Sequence, residues 1–171
     1  MLRPLVTLWA LVALLALAPV ASARVEAELH ASTVEPVEEA QPQPFRLTVP
    51  AFGRLNSNFG PRWGRMHHGI DIGMLSKLGV VAAAQGVVTH TGWLRGYEGY
   101  GKVILVDHGD GRETVYSHLS RIRVAPGALV DAGAWIGNAG CTGSCTGTHL
   151  HFELRLDGVP VDPMPYFDPA G

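Results

Sequence analysis

His149-Leu150-His151-Phe152-Glu153-Leu154-Arg155-Leu156 is the stretch on which the reading of this chain turns. Side chains of a strand alternate between faces, so His149 and His151 share one face while Leu150 and Phe152 share the other. Two imidazoles on one face of an otherwise apolar strand are costly to bury unless each has a partner. A metal ion would partner one and leave the other for proton transfer. Hydrogen bonds alone would make both structural, and these residues by themselves leave both readings open.

Outward from that strand, short apolar runs alternate with glycine turns. Candidate strands are His68–Ile72, Gly86–Trp93, Lys102–Asp107 and Thr114–Leu119, with His149–Leu156 the last. Asp110-Gly111 is a strong hairpin signal, and Asp157-Gly158 marks another turn. Turn residues recur every few positions from Val124 to Gly137, which predicts short strands winding through a sheet corner. The proline-rich tail from Pro160 to Pro169 is expected to pack across the core. With 21 Gly and 12 Pro, and no sustained apolar stripe of helical period, the chain reads as all-β.

Its 171 residues are 47% hydrophobic and 16% charged, with a formal net charge of −2, which suits one folded domain. No dense basic cluster exists, so nucleic acid is not an expected partner. Residues 1–23 have Arg3 as their only charge, an apolar run from Leu5 to Val20 and an Ala21-Ser22-Ala23 end. That is the pattern of a cleaved secretory signal peptide, with an uncleaved anchor as the alternative. Export to the periplasm or beyond is expected, with no stable membrane anchor after cleavage. Residues 24–44 carry Glu26, Glu28, Glu35, Glu38 and Glu39 among prolines and few large apolar groups, the composition of a flexible acidic linker. The folded domain is expected to span residues 45–171, as a monomer. Cys141 and Cys145 are the only two cysteines. In an oxidising compartment they read as a local disulfide that stiffens a loop rather than as metal ligands.

Two further segments carry candidate chemistry. His67 and Asp71, in His67-His68-Gly69-Ile70-Asp71, would lie roughly 13 Å apart on a straight strand, too far to share one ion. The chain must bend between them, and Gly69 permits it. His118 closes the run Val115-Tyr116-Ser117-His118. Two histidines and a carboxylate would give zinc three protein ligands and leave its fourth position for water, the form of a catalytic site. Two remaining histidines would then supply proton transfer and a hydrogen bond to a developing oxyanion. There is no His-Glu-x-x-His, which excludes a metalloprotease of that class.

His67-x-Gly-x-Asp71, the Tyr116-Ser-His118-Leu-Ser run and Thr146-Gly-Thr-His149-Leu-His151-Phe-Glu together resemble peptidase family M23, the lysostaphin-type or LytM-domain peptidoglycan endopeptidases. Ser57-Asn-Phe-Gly-Pro-Arg62, Gly99-Tyr-Gly101, Asp107-His108-Gly109 and Val161-Asp-Pro163 extend the similarity over most of Phe45–Phe167. The resemblance implies an antiparallel β-sheet core with a loop-lined groove. It implies one Zn2+ held by His67, Asp71 and His151, with His118 and His149 as catalytic histidines. It implies a peptidoglycan peptide as substrate. Some domains of this kind have lost zinc ligands and bind or activate cell-wall amidases instead, under an unknown regulatory partner. All five positions are filled here, which favours the enzyme. A lytic weapon against glycine-rich bridges is a further alternative, less favoured than cleavage of D-amino-acid cross-links.

The other histidines read as bland. His68 should point away from His67, His108 should bond backbone near its turn, His90 is a half-buried strand residue and His30 lies in the linker. Lys102 stands where the family often has Asn.

Overall fold

The structure, a computed structural model, describes residues 44–169. The expected signal peptide and all of the expected linker but Pro44 lie outside these residues. The strands are β1 (Arg54–Ser57), β2 (Gly60–Arg62), β3 (Arg65–His67), β4 (Ile70–Gly73), β5 (Gly79–Val81), β6 (Gly86–Trp93) and β7 (Lys102–Gly109). They continue as β8 (Arg112–Ser117), β9 (Arg121–Ile122), β10 (Leu129–Val130), β11 (Trp135–Asn138), β12 (Leu150–Leu156) and β13 (Val159–Val161). Among the described residues the only helices are two 3-10 turns, Glu98–Tyr100 and Met164–Tyr166, and no helix is long and apolar enough to cross a membrane. The protein is all-β, as its glycine-punctuated runs predict.

Eight strands form the main sheet in the order β1-β4-β12-β8-β7-β6-β10, with β13 added to β12. Every strand pairing in it is antiparallel. Two tight hairpins join its neighbours. Asp110 and Gly111 have φ of +51° and +72°, and Asp157 and Gly158 have +50° and +78°. Positive φ at both central residues matches the twist of the flanking strands, which is why Asp-Gly marks such turns. A second, three-stranded sheet runs β5-β11-β9, and β2 and β3 form a separate hairpin.

The main core lies on one face of the large sheet, where Ile70, Ile104, Tyr116, Leu150, Phe152 and Leu154 meet Val80 and Ile136 of the smaller sheet. Phe152 is fully buried against Tyr116 and Phe167, a burial worth about 2–3 kcal/mol. Phe167 belongs to the proline-rich tail, which pairs with Leu47 and so does pack against the core. The opposite face carries a second apolar cluster of Val103, Leu105 and Val115, with Leu94, Tyr97 and Tyr100 beside it. Burial on both faces explains the unbroken run Val103–Val106 in β7. By alternation along β12, His151 and Glu153 sit on this second face, with Leu150 and Phe152 directed to the core.

Strand boundaries differ from the sequence expectation: β7 runs on to Gly109, β8 starts at Arg112 and β4 ends at Gly73, and three further differences fall at the site. The run His68–Ile72 is not one strand: β3 ends at His67 and β4 begins at Ile70. Gly69 allows the break through space rather than through an unusual φ, since a Cβ there would stand 2.2 Å from the Phe152 carbonyl oxygen. β8 stops at Ser117, and His118 takes a left-handed φ of +58° that turns it out of the sheet. β12 starts at Leu150, leaving His149 on the preceding loop, bridged to Gly140.

Candidate metal centre

Strand register brings the first pair together. Asp71 on β4 is the direct cross-strand partner of His151 on β12, so 80 residues of sequence separation collapse to 2.8 Å between Asp71 Oδ1 and His151 Nδ1. His67 arrives from the β2–β3 hairpin, buried, with Nε2 3.1 Å from Asp71 Oδ1 and 3.0 Å from His151 Nδ1. The three candidate donor atoms all lie within 4.8 Å of one another.

Hydrogen bonds behind the rings fix what these atoms offer. His67 Nδ1–H donates to the Asn58 carbonyl at 2.7 Å, which leaves Nε2 with the lone pair. His151 Nε2–H donates to Glu153 Oε1 at 3.0 Å, which leaves Nδ1 with the lone pair. Asp71 Oδ2 accepts from Arg62 Nη1 at 3.1 Å, and Arg62 also donates to Ser57 Oγ at 2.6 Å. Only Oδ1 therefore faces the histidines. Three acceptors about 3 Å apart repel one another unless a cation stands among them. Two imidazole nitrogens and one carboxylate oxygen, each backed by an outer hydrogen bond, suit zinc with ligand distances of about 2 Å.

Without a metal, a proton serves. Burial disfavours charge on both groups, but the hydrogen bonds from His151 and His67 outweigh it and hold the Asp71 carboxyl far below the usual carboxylate range. On His151, burial lowers the pKa, while the bonds to Asp71 and Glu153 more than offset this and raise it. Metal binding must displace that proton.

His118 and His149 stand on the open side of the cluster, their rings 4.6 Å apart. His149 Nδ1 donates to the Gly147 carbonyl at 2.7 Å, and its Nε2 lies 3.8 Å from Asp71 Oδ1. His118 Nδ1 donates to the Thr142 carbonyl at 2.8 Å. Both rings are thus held as the same tautomer, with the lone pair on Nε2. Burial, reinforced by the neighbouring His149 and His151, keeps the His118 pKa below its ordinary value even against the Thr142 bond. The backbone at His118 is pinned by bonds from its N–H to Tyr100 and from the Leu119 N–H to Lys102, which sustain its left-handed turn.

All five histidine and aspartate positions singled out from sequence line one groove of about 540 Å³. Its walls are the β2–β3 hairpin with Trp63 and Met66, the Gly99–Tyr100 loop and the Ser144–Thr146 loop. Cys141 and Cys145 are disulfide-bonded within that last wall. His68 is exposed at the rim. His108 bonds the Gln85 carbonyl and Thr114, away from the site, and Lys102 reaches the Ser120 carbonyl rather than the groove.

Sequence reasoning passed over Glu153 and its partners. Glu153 is fully buried and accepts from Tyr100 OH at 2.6 Å and from Arg155 Nε and Nη2 at 2.8 and 2.6 Å, besides His151. Burial opposes its charge, but the bonds from His151 and Tyr100 and the Arg155 guanidinium hold it ionised. Its place in strand alternation was the available clue: Glu153 and Arg155 follow His151 on the same face.

Fold and site together define a β-rich domain with a candidate metal centre in an open groove. The chain belongs to peptidase family M23, whose family model matches residues 65–163. It is 40% identical over 127 residues to the DD-carboxypeptidase/endopeptidase Mpg of Neisseria meningitidis serogroup B, covering 70% of this chain and 28% of that protein. It is 36% identical over 117 residues to the murein hydrolase activator NlpD of Salmonella typhimurium, covering 68% of this chain and 30% of that one. Among solved structures, a zinc-containing peptidase from Vibrio cholerae superposes with a TM-score of 0.61 at 32% identity, over 71% of this chain and 40% of that one. The chain therefore spans less than a third of the length of these two curated relatives.

Proposed function

We propose that this chain is a zinc-dependent endopeptidase acting on the peptide part of bacterial peptidoglycan. In this reading His67, Asp71 and His151 hold the ion, and His118 and His149 manage protons. The observation that carries it is the set of three lone pairs converging within 3.1 Å, beside two further imidazoles of fixed tautomer. Bound Zn2+ supplies a Lewis acid for the scissile carbonyl and lowers the pKa of its water from about 16 towards 7. One of His118 and His149, through Nε2, takes a proton from the attacking water. The other, protonated, donates a hydrogen bond to the developing oxyanion. The backbone carbonyls of Thr142 and Gly147 hold the two rings in place while their charge changes.

Similarity to Mpg supports cleavage of bonds between D-amino acids, and the N-terminal apolar run ending in Ala21-Ser22-Ala23 supports export to where such a substrate lies. Similarity to NlpD supports a second reading, a module without catalysis that activates another wall hydrolase. The filled ligand and histidine positions weigh against it. Elemental analysis of the purified protein, with mass spectrometry of digested wall, separates the two. About one equivalent of zinc and new peptide termini are expected. Less than a tenth of an equivalent, with intact cross-links, would leave the activator reading.

A further inference from the structure

The tip of the β2–β3 hairpin is built at odds with folding. β2 and β3 pair Gly60 with His67, Pro61 with Met66 and Arg62 with Arg65, leaving Trp63 and Gly64 as the turn. Their φ values are +49° and +76°. Such a turn favours Asn, Asp or Gly at its first central position, and a bulky residue there is strained. Trp63 is also 91% exposed, the most exposed of the large apolar side chains among the described residues. Neither local conformation nor the core is served by a tryptophan at this place.

Its position relative to the metal centre is fixed. His67 ends the same hairpin inside the donor cluster, and Arg62 ties the hairpin to Asp71 and Ser57. Trp63 borders both the groove over the histidines and an adjoining groove lined by Asn56, Ser57 and Thr148. Trp63 is therefore common to the two grooves.

Charge at this lip is one-sided. Among the described residues Asp71 is the only carboxylate lining the two grooves, and both of its oxygens are engaged, by Arg62 and by the histidines. Arg65 is exposed, lines the groove, and has no ion pair among the described residues. A guanidinium so placed suits a carboxylate that is not itself the reacting group. The flat indole suits the backbone and small side chains on either side of it.

We infer that the hairpin tip is a substrate subsite in which Arg65 pairs with a free carboxylate of the bound peptide and Trp63 covers the adjoining chain. It rests on the reading that the groove binds peptide, and it adds that the peptide is anionic beside the scissile bond. The carboxylate comes from a side chain or from a chain terminus, two sources that selective amidation distinguishes.

The test is calorimetric binding, run together with steady-state hydrolysis. The probe is a cross-linked peptide dimer released from purified peptidoglycan, in free-acid, side-chain-amidated and terminus-amidated forms. Arg65→Gln should weaken the free-acid form about five- to tenfold, the size of a partly exposed charge-assisted pair. It should leave unchanged the affinity for the form in which the carboxylate Arg65 would meet is amidated, and zinc content should match the wild type. Trp63→Ala should raise KM for all three forms. Equal affinity of the wild type for all three forms, or no effect of Arg65→Gln, would overturn the subsite. Discriminating binding without hydrolysis would instead sink the endopeptidase reading and leave the subsite standing.

Discussion

His151 donates a hydrogen bond from Nε2 to Oε1 of Glu153 at 3.0 Å, two residues further along the same strand face. Glu153 has no exposed surface and is held by Tyr100 and Arg155 as well. The carboxylate fixes the tautomer of His151 and so aims its Nδ1 lone pair at Asp71 and His67. Removing it frees the ring and leaves Arg155, in a largely buried setting, with the longer ion pair to Glu113 at 3.5 Å. Glu153→Ala should therefore weaken zinc binding about 10–100-fold, the usual cost of losing such an outer bond. It should also destabilise the fold by roughly 3 kcal/mol. Chelator competition and chemical denaturation measure the two effects separately, and wild-type metal affinity in the variant would disprove the positioning role.

His149 and Asp71 are neighbours at 3.8 Å with different expected roles. His149 stands on the loop before β12, where its loss opens no gap in the donor triad. Asp71 Oδ1 lies 3.1 Å from His67 Nε2 and 2.8 Å from His151 Nδ1, the two proposed ligand histidines. His149→Ala should keep close to one equivalent of zinc while hydrolysis falls at least 100-fold. Asp71→Ala should lose both. Metal analysis beside digestion assays distinguishes these outcomes, and full activity in either variant refutes the assignment.

The strands were legible from sequence because apolar alternation and Asp-Gly turns are local properties. Gly86–Trp93 is a strand with the expected ends, and β7 and β8 are joined at the expected Asp110-Gly111 turn. The convergence of His67, Asp71 and His151 was not legible from local pattern, since it depends on the register that sets Asp71 opposite His151. Motif resemblance supplied that grouping instead. The left-handed turn at His118 has no local sign either, because His118 is held there by Tyr100 and Thr142, from distant loops. Alternation set Glu153 on the His151 face, but its burial was not legible for a related reason: a lone Glu in a strand usually faces water, and the enclosing Tyr100 and Arg155 reverse that expectation.

The Cys141–Cys145 disulfide encloses Thr142, whose carbonyl holds His118 and whose hydroxyl bonds Lys102 and Leu119. Ser144, in the same loop, donates to Gly99 on the facing wall. Closing so short a loop contributes roughly 2 kcal/mol of chain entropy, so its larger effect is on the loop itself. Cys141→Ser/Cys145→Ser should speed hydrogen exchange at Ser144 and lower kcat several-fold, with zinc content unchanged. Identical exchange and kinetics would make the bond incidental.

His108 provides a pH test remote from the candidate metal centre. Its Nδ1 donates to the Gln85 carbonyl at 2.7 Å, and its Nε2 lies 2.8 Å from Thr114 Oγ1, which in turn meets Tyr116 OH at 3.0 Å. The neutral ring accepts from Thr114, whereas a protonated ring would offer a second donor there. Burial pushes its pKa below the ordinary 6.5, and the Gln85 bond offsets this only in part. Between that lowered value and 6.5, the unfolded chain binds more protons at this site than the folded one. Stability from His108 is therefore complete above about pH 6.5 and declines as pH falls through the folded pKa. His108→Gln removes the titration while keeping a polar side chain. The stability gap between wild type and variant, measured by denaturant unfolding from pH 8 to pH 5, should shrink on acidification. A gap independent of pH would show that His108 is not buried neutral.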